Sequence, residues 1–415
     1  MTQTAAVTRS ASEVFGAALE DGSFYENPGP VWAMLREAGP IAKIPFRGET
    51  WVVTNWAACS ALSRDSRLSA ARAVAYDRQL PPEHRHEMQP MIATLSEMVI
   101  FMDPPRHTQL RKIMARAFTP EVIERSRPRI ARLFDQLLDD WIAAGRREIT
   151  ETVIHPFPAL VIADWIGLPP EDFPRFLEWA NALLKIIGSP TSDIEQTRVW
   201  IAAVEESRRY LDAAAAHHQP GDESLFSLLM EMEEGEVLDR AQLVAQAMLI
   251  LFAGHETTRN LIAGGLHLLL SHGYDCREFL ADDLSVRLAV DEVLRIVSPV
   301  QVVGRLVDED FQYDGVSLKK GEYILLGWAS ANRDPEQFSD PDKIDLKRRN
   351  NPHLAFGAGM HACLGLHLAR VEAQIAFQRL WSRLPNLRLS PQPVEWTKNL
   401  AIRGPARLYV DYDRV

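Results

Sequence analysis

The sequence predicts a mainly α fold with a smaller β portion. Helical patterns dominate from Trp56 to about Ser298, punctuated by Pro and Gly clusters at "LPPEHRH", "MDPPRH", "GLPPEDFP" and "IGSPTS". Strand patterns gather in two short patches, 41–55 and 302–327. One apolar stretch, residues 241–272, would span roughly 48 Å as a helix at 1.5 Å per residue, enough to cross a whole domain.

Taken in order, Ile41–Asn55, "IAKIPFRGETWVVTN", reads as a β-hairpin, two apolar runs around a polar, Gly-containing turn. The helical region follows. The second strand patch contains "EDFQYDGVSLKKGEYILLGW", with Asp314-Gly315 and Lys320-Gly321 as turn signals. A charged, structureless stretch, "NRDPEQFSDPDKIDLKRRN", leads into a Gly-rich loop. The last helix is "LGLHLARVEAQIAFQRLWSRL", and weak strand patterns finish the chain. No internal repeat, low-complexity tract or clear linker is visible.

A length of 415 residues makes two domains the default expectation, with one large unit as the alternative. The composition, 47% hydrophobic and 24% charged, is that of an ordinary soluble enzyme, and a formal net charge of -11 argues against general nucleic-acid binding. Cys59, Cys276 and Cys363 lie too far apart for a disulfide framework or CxxC zinc spacing, so a reducing cytosol is the simplest compartment. No signal-peptide pattern opens the chain. The longest apolar region is broken by His255, Glu256, Arg259 and Asn260, so no membrane span is expected.

Chemistry concentrates in two places. Cys363 sits in "LAFGAGMHACLGLHLAR", between close-spaced glycines and a helix start. Gly357 and Gly359 allow a tight turn, Gly365 leaves room for something flat, and the helix dipole pushes the sulfur toward thiolate. The second place is "AGHETT", Ala253–Thr258, midway along the long helix. A threonine there can bond back to the Ala253 carbonyl and loosen the helix, while Ala253 and Gly254 keep that face open for a small ligand. "HETTR" begins like a zinc-protease helix, but Arg259 stands where the second histidine must be. Glu292 and Arg295, at i, i+3 in "EVLR", form a pair that is common on helix surfaces.

The run Phe356-Gly357-x-Gly359-x-His361-x-Cys363-Leu364-Gly365 resembles the heme-ligand loop of the cytochrome P450 family, and the other motifs follow in that family's order along most of the chain. The resemblance implies a single P450 domain over 1–415, with a long central helix over heme b and the Cys loop beneath it. It implies Cys363 as the iron ligand, Phe356 shielding the sulfur, Gly357 shaping the loop, Gly365 admitting the porphyrin face and His361 bonding a propionate. His107 and Arg111, in "DPPRHTQLRKIMARAF", and Arg305 match further propionate positions. Ala253 would border the heme, with Glu256 and Thr257 as the acid and alcohol that deliver protons during O2 activation. Glu292 and Arg295 would lock to an arginine of the charged meander, Arg348, with Arg349 as the alternative.

Substrate positions implied by the same resemblance are Met98, Val99 and Ile100; Leu249 and Phe252; Val300, Gln301, Val302 and Val303; and Ala401 and Ile402. Most are apolar, and Gln301 is the one obvious hydrogen-bonding group among them. The implied activity is monooxygenation of a mainly apolar metabolite, free or carrier-tethered, by a cytoplasmic monomer. Electrons would come from NAD(P)H through a ferredoxin or flavodoxin-type partner on the Cys-ligand side, where Arg106, Lys112, Arg116, Arg348, Arg349 and Arg370 could form a basic patch. Epoxidation, desaturation or oxidative coupling on the same fold is the alternative outcome. A heme sensor or carrier without turnover is the reading from another class, and Glu256 with Thr257 counts against it.

Overall fold

A computed structural model describes residues 10–188, 193–217, 226–227, 229–230, 238–277, 280 and 282–413. The helix over Arg240–Ser271 is continuous and carries the main core. Its start is set by a capping box: Asp239 accepts from the Gln242 N–H (2.8 Å), and the Gln242 side chain accepts from the Asp239 N–H (3.2 Å). Gly273, at φ 68°, follows its end. Leu243, Ala247, Ile262 and Leu266 are all fully or nearly fully buried on its different faces, as expected of a helix enclosed by protein. The helices Pro156–Ile166, Phe173–Gly188, Asp283–Val297 and Leu366–Arg383 pack around it. Among the described residues no helix is long and apolar enough to cross a membrane.

The β portion begins with β1 (Ile41–Pro45) and β2 (Glu49–Val53), an antiparallel hairpin whose turn places Arg47 and Gly48 at positive φ. β3 (Leu68–Ser69) is short. In the later patch come β4 (Val303–Val307), β5 (Phe311–Tyr313), β6 (Val316–Leu318) and β7 (Tyr323–Leu326). The Asp314-Gly315 turn joins β5 to β6 with both residues at positive φ, the geometry a two-residue hairpin needs. One five-stranded sheet runs β1-β2-β7-β4-β3, so the two distant strand patches become one surface. β2 and β7 are parallel, and the other neighbours are antiparallel. This sheet sets Arg305 of β4 against the helical core.

The expected loosening at Thr257 does not break the helix. Its hydroxyl does donate to the Ala253 carbonyl (2.9 Å), and Thr258 donates to Gly254 (3.3 Å), yet α-helical geometry continues through both. Gly254 also has a packing role that the sequence reading lacked. A Cβ there would lie 2.5 Å from Ile162 Cδ1, so the absent side chain lets the helix Pro156–Ile166 approach.

Candidate active site

A cavity of about 310 Å³ lies between the long helix, the sheet and the loop that carries Cys363. The loop geometry is demanding. Gly357 and Gly359 sit at φ 70° and 72°, and a Cβ at either would lie 2.8 Å from a neighbour: Trp328 Cη2 for Gly357, the Ser63 carbonyl for Gly359. Glycine is therefore required there both for conformation and for space. The Cys363 N–H donates to the Phe356 carbonyl (2.8 Å), which folds the loop back on itself. Gly365 caps the helix Leu366–Arg383, and among the described residues the one atom within 4 Å of its missing Cβ is the Cys363 sulfur, 4.0 Å away. The Arg370 guanidinium covers the Phe356 ring at 4.6 Å.

One sequence expectation is corrected at the sulfur. Burial raises the Cys363 pKa, and this outweighs the Gly365 N–H together with the Arg111 and Arg370 charges, which act the other way. The helix start by itself does not make a thiolate here; a coordinated cation would.

The cavity wall carries a group of basic side chains. Arg72, Arg111, Arg305 and His361 all line it, and His107 stacks on His361 with ring centroids 4.1 Å apart. Both ring nitrogens of His107 and Nε2 of His361 are buried without a partner. Burial, and then Arg305, His107, Arg72 and Arg111, push the His361 pKa down to about 2. Burial and Arg72 lower Arg305 to about 9. Among the described residues no carboxylate lines the cavity. Clustered cations with orphaned imidazole nitrogens fit a flat, apolar group that brings its own carboxylates, as heme does. Arg111 also donates to the Ala362 carbonyl, directly beside Cys363. Arg72 was not foreseen, because it lies outside any motif and reaches the site through a bond to the Ile100 carbonyl (2.9 Å).

Opposite the cysteine, Ala253, Gly254, Thr257 and Thr258 of the long helix line the cavity. Glu256 does not. It is buried and turned away, accepting from Arg259 Nη1 (2.8 Å) and Asn260 Nδ2 (3.1 Å) on Oε1. Arg259, which breaks the zinc-protease pattern, continues to Glu151 (3.4 Å) and the Ala406 carbonyl (3.1 Å). Glu372 was not singled out either. It is fully buried beside Thr258, and burial raises its pKa well above the ordinary carboxylate value.

Of the expected substrate positions, Val99, Ile100, Leu249, Phe252, Val300, Val302, Val303, Ala401 and Ile402 line the cavity. Distant segments meet there: the Gln301 N–H donates to the Ala401 carbonyl (2.8 Å), and Val300 bridges to Ile402. Two expected positions are corrected. Met98 is fully buried in the core and is not among the lining residues, because the Val99–Phe101 turn presents the following residues instead. Gln301 is also outside the lining. Its Oε1 accepts from Trp32 Nε1 (3.3 Å), and its Nε2 donates to the carbonyls of Ser298 (2.6 Å) and Val297 (3.3 Å), so its polar atoms brace the scaffold. Phe46, Arg47, Tyr76, Phe118 and Ile162 join the lining unannounced, since only the fold brings them near.

Glu292 and Arg295 are fully buried at the centre of their cluster. Arg295 donates to Glu292 twice (2.9 and 2.8 Å) and to the carbonyls of Asn332 (2.9 Å), Pro341 (2.6 Å) and Lys343 (3.2 Å). The meander arginine is Arg348, whose Nε reaches Glu292 at 3.2 Å; the Asp345 N–H (2.9 Å) and Asn351 (3.1 Å) complete the carboxylate's shell. The basic patch is thinner than expected, because Arg106 pairs with Glu97, Arg348 with Glu292 and Arg370 with Asp291, leaving Lys112, Arg116 and Arg349 exposed.

A family profile described as Cytochrome P450 matches residues 286–401. The vitamin D(3) 25-hydroxylase of Pseudonocardia autotrophica is 36% identical over 94% of this chain and 95% of its own. Among solved structures, a myxobacterial cytochrome P450, CYP267B1 in complex with myristic acid, superposes with a TM-score of 0.86 at 37% identity, covering 97% of this chain and 100% of that one. P450BioI in complex with a hexadec-9Z-enoic acid-ligated acyl carrier protein gives 0.84 at 32% identity, covering 94% and 100%. With a cysteine beneath a carboxylate-seeking cavity, and relatives of this identity along nearly its whole length, the chain belongs to the bacterial cytochrome P450 monooxygenases, heme oxidoreductases that incorporate one atom of O2 using reducing equivalents from NAD(P)H through redox partners.

Proposed function

We propose that the whole chain works as one P450 domain, inserting an oxygen atom into a C–H bond of a mainly apolar metabolite, free or carrier-tethered, with electrons from a ferredoxin or flavodoxin-type donor. The carrying observation is the cavity itself: Cys363 of the glycine loop and Ala253 and Thr257 of the long helix line it together with mainly apolar side chains, and among the described residues no carboxylate does. When bound, heme ligated by a thiolate supplies O2 activation, since thiolate donation favours O–O cleavage.

The chain's own residues divide the remaining work. Cys363 is the ligand, and Phe356 under Arg370 keeps water from the sulfur. His107, Arg111, Arg305 and His361, joined by Arg72, hold the propionates through charge-assisted hydrogen bonds. Gly357 and Gly365 give the loop its shape and its clearance. Thr257 hands on a proton from its hydroxyl, and Glu256 resupplies it by leaving its ion pair with Arg259. Leu249, Phe252, Val300, Val302 and Ile402 exclude water and present carbon skeleton to the reacting centre. Long-chain acyl substrates are supported by the myristic acid and acyl-carrier complexes of the two structural neighbours. The exposed Lys112, Arg116 and Arg349 support docking of an acidic electron donor.

The test pairs spectrum with coupling. Cys363→Ser should abolish the thiolate-type CO-difference band of the reduced protein. Thr257→Ala should retain that band and continue to consume NAD(P)H, while product falls and hydrogen peroxide rises. Unchanged coupling would remove Thr257 from proton delivery, and a histidine-type band in the wild type would overturn the ligand assignment.

A further inference from the structure

The histidine that the zinc-like motif lacked is supplied by a different part of the fold. His255, on the long helix, is buried, and His155, immediately before the helix Pro156–Ile166, is buried beside it; their rings stack with centroids 5.4 Å apart. Nδ1 of His155 meets the Glu151 carboxylate (3.5 Å), and His255 bonds to the Leu251 backbone one turn earlier. That leaves Nε2 on each ring, and both Nε2 atoms are buried without a hydrogen-bond partner. Glu256 is divided in the same way: Oε1 takes Arg259 and Asn260, while Oε2 lies 3.5 Å from His255 Nε2.

The three side chains thus converge, each offering a ligand atom within 4.8 Å of the other two. An imidazole whose only ring hydrogen sits on Nδ1 presents a bare lone pair at Nε2, so with Glu256 Oε2 beside them the three atoms call for something positive or donating among them. The surrounding charge permits a dication: two carboxylates, Glu151 and Glu256, face one buried guanidinium, Arg259, with Arg407 farther out and exposed. Two imidazoles and a carboxylate are a borderline donor set of the kind zinc takes, and the 3.5 Å separation of His255 Nε2 and Glu256 Oε2 is close to the roughly 3.3 Å edge of a tetrahedron with ~2.05 Å bonds.

We propose that His155 Nε2, His255 Nε2 and Glu256 Oε2 form a zinc site with an open fourth position. It is separate from the cysteine and touches the monooxygenase through one side chain, Glu256. Zinc held there keeps that carboxylate from moving, and so slows turnover. This consequence rests on the proton-delivery role proposed for Glu256; the binding does not.

The experiment uses tag-free, heme-loaded enzyme, stripped with EDTA, equilibrated with zinc sulfate and desalted. Elemental analysis should find about one zinc per heme in the wild type, and at least roughly tenfold less in His155→Gln with its CO-difference band intact. Zinc-edge X-ray absorption should show a nitrogen and oxygen shell with imidazole scattering. Wild-type enzyme that retains no zinc, because water alone satisfies the three atoms, overturns the site. So does His155→Gln retaining as much as wild type, or a sulfur in the zinc shell. With redox partners whose own electron transfer is insensitive to zinc, turnover should fall in the wild type and hold in His155→Gln. Stoichiometric zinc with unchanged turnover would uphold the site and remove Glu256 from proton supply.

Discussion

Replacing Glu292 with glutamine tests the internal cluster that ties down the meander preceding the cysteine loop. In the native protein its carboxylate accepts from Arg295, Arg348, the Asp345 N–H and Asn351, and neither Glu292 nor Arg295 has any exposed surface. Glutamine keeps one acceptor oxygen but turns the other position into a donor that faces a guanidinium. Arg295 would remain buried with only neutral acceptors, one amide oxygen and the backbone carbonyls, against its charge. Breaking a buried pair in this way costs about 3–5 kcal/mol, a large share of a typical total stability of roughly 5–15 kcal/mol. Arg348→Met removes a partner at the cluster's edge and should cost less, about 1.5–3 kcal/mol. Because Arg295 also ties Pro341 and Lys343 of the meander, the glutamine variant should lose heme as well as stability. Urea unfolding followed by tryptophan fluorescence and Soret absorbance measures both. The pH dependence has a definite sign. Burial would raise the Glu292 pKa, but the Arg295 and Asp345 hydrogen bonds and the two arginine charges bring it below the ordinary 4.5. Its contribution is therefore fully present above that ordinary value and is lost as pH falls through the lower folded one. The glutamine variant should lack this acid-sensitive component. A variant within about 0.5 kcal/mol of wild type, with full heme content, would refute the reasoning.

Gly254→Ala should lower the thermal midpoint, because overpacking against Ile162 costs about 1–3 kcal/mol while helix propensity returns only about 1; Ile162→Val should recover part of the loss, and a higher midpoint in the single variant would contradict the contact. Gln301→Leu should destabilise by about 1–3 kcal/mol while leaving the site of oxidation on the substrate unchanged, since its amide serves Trp32, Val297 and Ser298; altered regiochemistry in the product analysis would return it to the pocket. Arg305→Met should speed heme transfer to apomyoglobin by roughly 10- to 100-fold, and an unchanged rate would show that the propionates lie elsewhere.

The chain alone determined whatever depends on neighbours in sequence. The helix Arg240–Ser271, the hairpin at Gly48, the Asp314-Gly315 turn and the doubly constrained glycines before Cys363 all follow from periodicity, caps and backbone preferences acting within a few residues. So does the placing of Thr257 over Ala253, one helical turn apart. The fold decided which faces meet. It turned Glu256 away from the cavity, assigned Gln301 to the scaffold rather than the substrate and set Ile162 against Gly254. It also brought Arg72 to the cavity wall beside Arg305 and His361, and His155 to His255. These pairings join segments tens to hundreds of residues apart. A local pattern shows that a side chain is polar or apolar, but what it touches is set by how helices and sheet close around a shared core, where each buried polar atom must find its partner.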